Sequence, residues 1–308
     1  MSAVLGVLEG YTIIAVVVAA GWVVGRVGLL GAEGREVLAR LVFFVLAPAL
    51  LFTILADADP ARLFSPLLAA SLGAAVLVAA LHVVVVRGWW RRPVGETTIG
   101  ALGAGYVNAN NIGLPVATYI LGEPAAVAPV ILAQLLLLAP TALAVLDASS
   151  SGAVSWRRVA SQPVRNPIIL GSAGGLVVAL TGLRVPDVVM EPLRILGGGA
   201  VPLMLVAFGI SLAGTRLLEP GSDRRNVALA TTLKLVGMPV AAWGLGTLLG
   251  LDGHDLYVVV VLAALPTAQN VLNYADRYRT GQVVARDTIA LTTLGALPVM
   301  ALVALLLH

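Results

Sequence analysis

Two short stretches gather much of the uncharged polar chemistry of this chain. Asn108, Asn110 and Asn111 lie in Asn108-Ala109-Asn110-Asn111-Ile112-Gly113-Leu114-Pro115, and Gln269, Asn270 and Asn273 lie in Pro266-Thr267-Ala268-Gln269-Asn270-Val271-Leu272-Asn273. A carboxamide can donate N–H groups to a carboxylate or turn its carbonyl oxygen to a cation. Both uses fit residues gathered in this way, and residue type does not choose between them. Gly113 lets the backbone leave helical geometry, whereas Pro115 and Pro266 each remove a donor and crowd the preceding turn. A helix is expected to break at each stretch. The freed backbone groups, and the N-terminal end of each outgoing half-helix with its partial positive charge, suit an anion such as a carboxylate.

Two further polar residues lie inside apolar runs. Lys234, the single lysine, is about eight residues into its run, roughly 12 Å from one end at 1.5 Å per residue. It reads either as a binding-site cation or as a side chain whose stem reaches back to the interface. Gln134 reads equally as a site residue or a packing residue. Glu9, Asp276 and Asp287 fall near the ends of apolar runs and read as solvated ends rather than as a proton relay. Catalysis has little to work with. His82, His254 and His308 are scattered, and the chain has no cysteine, so metal sites and disulfides are not expected. The clusters Gly100-Gly103-Gly105, Gly171-Gly174-Gly175 and Gly197-Gly198-Gly199 lack the lysine and hydroxyl of a phosphate loop and read as close helix packing.

The elements that must position these residues follow from composition. Of 308 residues, 59% are hydrophobic and 11% charged, with mean hydropathy +0.98, which excludes a soluble domain. Apolar runs of about 20 residues, each able to cross roughly 30 Å of hydrocarbon, recur at about 5–25, 38–56, 66–87, 96–121, 124–146, 167–183, 192–213, 227–250, 254–276 and 285–307. The chain is therefore expected to be an all-α membrane protein with ten spans, the two polar stretches interrupting spans 4 and 9. In hydrocarbon, broken helices persist only where protein or a wet cavity surrounds them.

Arginines mark the two sides. Arg26, Arg35, Arg40, Arg87, Arg91, Arg92, Arg157, Arg158, Arg165, Arg216, Arg224, Arg225, Arg277, Arg279 and Arg286 fall in or beside the odd-numbered loops, and only Arg62, Arg184 and Arg194 fall on the other side. By the positive-inside rule both termini are expected to be extracytoplasmic. Trp89, Trp90 and Trp156, next to these arginines, read as interfacial anchors, and nothing points to nucleic acid.

The chain also resembles itself. Shifted by 154 positions, residues 19–30 meet residues 173–184 with six of twelve pairs identical, where roughly one would match by chance. The same shift pairs Arg40 with Arg194 and Pro48 with Pro202, and slightly longer shifts pair Asn108, Asn110 and Asn111 with Thr267, Gln269 and Asn270, and Pro140 with Pro298. Two repeats of five spans follow, 1–150 and 167–308, joined by a short cytoplasmic linker at 151–166. An odd number of spans turns the second copy upside down, a plan common among secondary transporters.

The stretch Gly105 to Gly122 resembles the fourth helix of the auxin efflux carrier family. Leu265 to Thr293, with Tyr274-Ala275-Asp276-Arg277-Tyr278, resembles its C-terminal signature, and Asn166-Pro167-Ile168-Ile169 matches at the start of the second repeat. The short central loop is closer to compact bacterial carriers than to plant exporters with a long insert there. The resemblance implies the inverted-repeat fold shared with sodium/bile-acid symporters and the wider bile acid, arsenite and riboflavin transporter group, with helices 4 and 9 crossing at their breaks. It implies a scaffold of spans 1, 2, 6 and 7 through which two copies dimerise, and a transport domain of spans 3–5 and 8–10. The function expected is elevator-type transport of a small organic anion, auxin-like or malate-like, across the cytoplasmic (inner) membrane. No cofactor is expected. The coupling ion, H+ or Na+, stays open, and a sodium-coupled symporter is the rival, to be removed by uptake indifferent to a sodium gradient.

Overall fold

A backbone in hydrocarbon must satisfy its own polar groups, and this chain does so with helices. The computed structural model describes residues 2–31, 33–59, 66–151, 165–213 and 223–307, so most of the expected linker at 151–166 lies outside the described residues. In chain order the helices are α1 (Ser2–Val27), α2 (Gly34–Leu41), α3 (Ala47–Ala56), α4 (Pro66–Val83), α5 (Val94–Gly105), α6 (Leu114–Tyr119), α7 (Ala128–Ala133) and α8 (Ala139–Ser151). They continue as α9 (Pro167–Thr181), α10 (Asp187–Gly198), α11 (Ala200–Ala213), α12 (Arg224–Thr232), α13 (Met238–Leu248), α14 (Gly253–Ala263), α15 (Asn270–Tyr278) and α16 (Gln282–Leu307). Among the described residues no strand forms beyond one isolated antiparallel bridge, Val107 with Thr267.

Six helical runs are long and apolar enough to cross a membrane: Glu36–Ala56, Pro66–Trp89, Pro124–Ser150, Asp187–Ala213, Arg224–Leu248 and Gln282–Leu307. Thr12–Val27, Pro167–Thr181 and Gly253–Ala263 are shorter apolar helices. Two of the expected runs, 96–121 and 254–276, are not continuous because the backbone leaves the helix midway. Large apolar side chains such as Phe44, Val84, Ile195 and Leu305 are exposed along these helices, as a lipid-facing surface requires.

Five of the runs contain a widened, π-type turn, and four of these turns have one cause. Val42–Leu46, Ala109–Gly113, Gln134–Leu138 and Leu233–Gly237 each end two residues before a proline: Pro48, Pro115, Pro140 and Pro239. Proline lacks the N–H that the carbonyl four residues back needs, and its ring crowds that carbonyl. Widening the turn relieves both.

The chain divides into two units. One comprises Met1–Ser65, Asn110–Leu132 and Ser161–Thr215. Within it α1 lies backbone to backbone on α11, since a Cβ at Gly21 would strike Val206 and one at Gly209 would strike Val18 and Trp22. Gly171 and Gly175 bring α9 onto Pro48 and Phe52 of α3, and Gly197 brings α10 onto Leu50. Of the expected clusters, Gly171, Gly175 and Gly197 pack helices as expected, whereas a Cβ at Gly198 would meet nothing within 4 Å. Asn166 caps α9, its Oδ1 accepting from the Ile168 N–H at 2.9 Å and the Ile169 N–H at 3.4 Å, which satisfies donors that Pro167 at the first position does not need to supply.

The other unit comprises Pro66–Ala109, Ala133–Ala160 and Arg216–His308. Here α5 packs against α4, α8, α12, α15 and α16. Its core gathers Ile99, Leu102 and Tyr106 with Leu146, Val271 and Ala285. A Cβ at Gly105 would fall 2.6 Å from the Ala75 carbonyl, so only glycine lets α5 approach α4 this closely.

Candidate functional site

The two interrupted helices meet at their interruptions. α5 ends at Gly105 and α14 at Ala263, and the following segments run antiparallel beside each other. The Asn108 N–H donates to the Pro266 carbonyl at 2.7 Å, and the Ala268 N–H donates to the Tyr106 carbonyl at 3.0 Å. Thr267 ties the pair inward. Its N–H donates to Thr292 Oγ1 at 3.1 Å, its hydroxyl donates to the Gly103 carbonyl at 2.6 Å, and the Thr292 hydroxyl donates on to the Thr288 carbonyl at 2.7 Å. Thr267, Thr288 and Thr292 are fully buried.

This geometry corrects one expectation. The backbone groups freed by the breaks are largely bonded to each other rather than left for a ligand. The first break also lies ahead of Pro115, at Tyr106–Asn108, because the widened turn Ala109–Gly113 lets Pro115 sit in the first turn of α6, where no donor is needed.

The expected site residues divide between the units. In the second unit, Asn108 is buried, Gln269 half-buried, and Asn270 and Asn273 exposed. The Tyr106 hydroxyl lies against Asn270 and Tyr274. Pro266 is buried within the second break. Gln134 opens a widened turn and is 5% exposed, and its Oε1 has no hydrogen-bond partner among the described residues. In the first unit, Asn110 and Asn111 are half-buried and Gly113 and Pro115 buried. Asn110 Nδ2 donates to Asn111 Oδ1 at 3.2 Å, and Asn110 Oδ1 is buried with no hydrogen-bond partner among the described residues. Asn110, Asn111, Gln134 and Lys234 thus all occupy proline-linked widened turns.

Lys234 is fully buried and does not reach back to the interface. Its Nζ donates to the Ala263 carbonyl at 2.7 Å and lies 3.0 Å from Met238 Sδ. Ala263 ends α14, so the Lys234 amino group donates where the half-helix concentrates negative charge. Asp287 departs from expectation. It is fully buried and paired with Arg286 Nε at 2.9 Å, so it is no solvated end. Asp276, exposed and accepting from Gln282 Nε2 at 2.8 Å, behaves as expected, whereas Glu9 lies where side chains are outside the described residues. Residue type alone also missed Asp147, which accepts from the Tyr278 hydroxyl at 2.6 Å, and the pair His82 and Asn226, both fully buried. His82 lies on one buried face with Ala74, Ala75 and Val78, but α4 is apolar on every side, so no period in the sequence marked that face.

The sequence model of the family described as membrane transport protein matches residues 7–155 and 148–304, nearly the whole chain in two overlapping parts. The chain belongs to the auxin efflux carrier family. It is similar to an uncharacterized transporter of Methanothermobacter thermautotrophicus, 27% identical over 267 residues that cover 86% of each chain. It is also similar to a Rhizobium meliloti protein with the provisional name malonate transporter, 29% identical over 272 residues, 85% of this chain and 83% of that one. A rice protein (Oryza sativa subsp. japonica) provisionally named auxin efflux carrier component 1b is 26% identical over 145 residues, 47% of this chain and 26% of its own. This member of the family is a multi-pass integral membrane transporter and not an enzyme.

Proposed function

We propose that this carrier moves a small organic anion, a carboxylate of the auxin-like or malate-like kind, by alternating access at the paired breaks. One observation carries the reading. The two interruptions are held together through their own backbone, and the carboxamides of Asn108, Gln269 and Asn270 stand together at the pair. Amide donors of that kind recognise carboxylate oxygens, and the N-terminal end of α15 adds partial positive charge. The name of the Rhizobium meliloti relative supports a dicarboxylate.

The same reading takes the chain as two inverted five-span repeats with both termini extracytoplasmic in the cytoplasmic (inner) membrane. Spans 3–5 and 8–10 move elevator-fashion against spans 1, 2, 6 and 7, through which a homodimer forms. The division of the chain by packing supports this for spans 1, 2, 6 and 7, since the first unit holds α1 to α3 and α9 to α11, and for α4, α5, α8 and α12 to α16 of the second; α6 and nearly all of α7, from spans 4 and 5, fall in the first unit and depart from it. The test is malonate binding and flux in proteoliposomes. Asn111→Ala and Asn270→Ala are expected to lower flux at least about tenfold, the effect of losing roughly 1.4 kcal/mol of binding. Binding and flux both unchanged in the two variants would place the site elsewhere.

A further inference from the structure

His82 is fully buried on α4, between α5 and α12. Its Nε2 lies 2.8 Å from Asn226 Oδ1, and Nδ1 has no hydrogen-bond partner among the described residues. Because Asn226 presents its carbonyl oxygen, Nε2 carries the hydrogen and Nδ1 carries a free lone pair. Asn226 Nδ2 and Thr288 Oγ1 are likewise buried and without partners. The arrangement needs glycine, for a Cβ at Gly100 would fall 2.6 Å from Nε2 and 2.9 Å from Asn226 Oδ1.

The pair opens onto a polar seam. α5, α12 and α16 pack against one another, and one turn along, a Cβ at Gly103 would meet Thr288 at 3.4 Å and Ala230 at 3.7 Å. The next turn of α16 brings Thr292, which bonds Thr267 at the break. From Gly100 to Tyr106 is about 9 Å at 1.5 Å per residue. Hydroxyls and an imidazole therefore line one seam from the start of α12 to the paired breaks, in a region that apolar packing alone would fill.

Charged and titratable groups surround the pair without bonding to it. Glu96 lies one turn before Gly100 on α5. Arg224 and Arg225 open α12, and Asp223 before them pairs with Arg92 at 2.8 Å. Arg286 and Asp287 pair on α16. Lys234 is engaged with Ala263, α14 carries His254, Asp255 and Tyr257, α13 has no titratable side chain, and Arg87 follows on the run of α4.

We propose that His82 is the proton-binding site that couples this carrier to a pH gradient, an inference that rests on the anion-transport reading above. A proton from water adds to the Nδ1 lone pair while Nε2–H stays on Asn226 Oδ1. No other bond changes, and the unit gains one positive charge. That charge offsets one negative charge of a bound carboxylate, so proton and anion cross together and the anion accumulates on the alkaline side.

Two measurements test this. In 15N-histidine NMR of the protein in nanodiscs, with the His82 signal identified by its loss in His82→Gln, the ring is expected to titrate between about pH 4 and 8. In proteoliposomes, one proton per malonate gives about tenfold accumulation per pH unit. His82→Gln is expected to lose that accumulation while still exchanging labelled for unlabelled malonate. A His82 signal that does not titrate overturns the proposal even if no carboxylate is carried, a result that would separately remove the anion reading. Accumulation in His82→Gln equal to wild type, or wild-type accumulation that ignores pH or favours the acidic side, overturns it as well.

Discussion

At the residue scale, many polar side chains in this carrier are held by backbone groups, and that decides what their loss does. The Lys234 amino group donates to the last carbonyl of α14. Lys234→Met leaves that carbonyl buried without a donor and is expected to cost about 1–3 kcal/mol, read as a lower Tm in detergent. Thr292 takes the Thr267 N–H and passes its own hydrogen to Thr288. Thr292→Val orphans the Thr267 donor at the break and is expected to cost a similar amount. Thr118, whose hydroxyl only back-bonds to Leu114 within its own helix, is the control, and Thr118→Val is expected to stay within about 0.5 kcal/mol. If Thr118→Val lowers Tm as much as Thr292→Val does, the buried bond at the break is not what stabilises it.

At the element scale, glycine and proline do different work that can be separated by mutation. Gly209 faces the backbone of α1, which cannot move aside as a side chain would. Gly209→Ala is expected to cost about 1–3 kcal/mol through overpacking. Gly244 has nothing within 4 Å, and Gly244→Ala is expected to gain about 0.5–1 kcal/mol from helix propensity, both read as Tm. These elements also show how far the amino-acid sequence could be read. The apolar runs, the glycine seams and the two breaks were all visible, because each depends on residue type or on length. The facing of Asp287 and His82 was not. A helix apolar on every side carries no period that separates its protein side from its lipid side, so a polar residue near its end reads as solvated whichever way it points. The widened turns were hidden for a related reason. Pro115 announces a disturbance, but only the built helix shows that the turn absorbs it and moves the break to Tyr106–Asn108.

At the scale of the whole molecule, the remaining question is which way the chain enters the bilayer, and one property of the sequence makes it open to direct measurement. The chain contains no cysteine, so a single introduced thiol reports its own side without competition. The arginine-rich loops are expected on the cytoplasmic side, because moving a cationic loop across against the membrane potential is opposed during insertion. Gly88, beside Arg87, has room for a side chain, with nothing within 4 Å of a Cβ. Asp252 is exposed between α13 and α14 and makes no capping bond, so it reports the opposite side at little structural cost. A membrane-impermeant maleimide is expected to label Asp252→Cys in intact cells and Gly88→Cys only after permeabilisation. The inverse pattern would turn the chain over, placing both termini in the cytoplasm. Labelling of both residues from the same side would mean that the number of crossings between residues 88 and 252 is even rather than the five that two inverted repeats require.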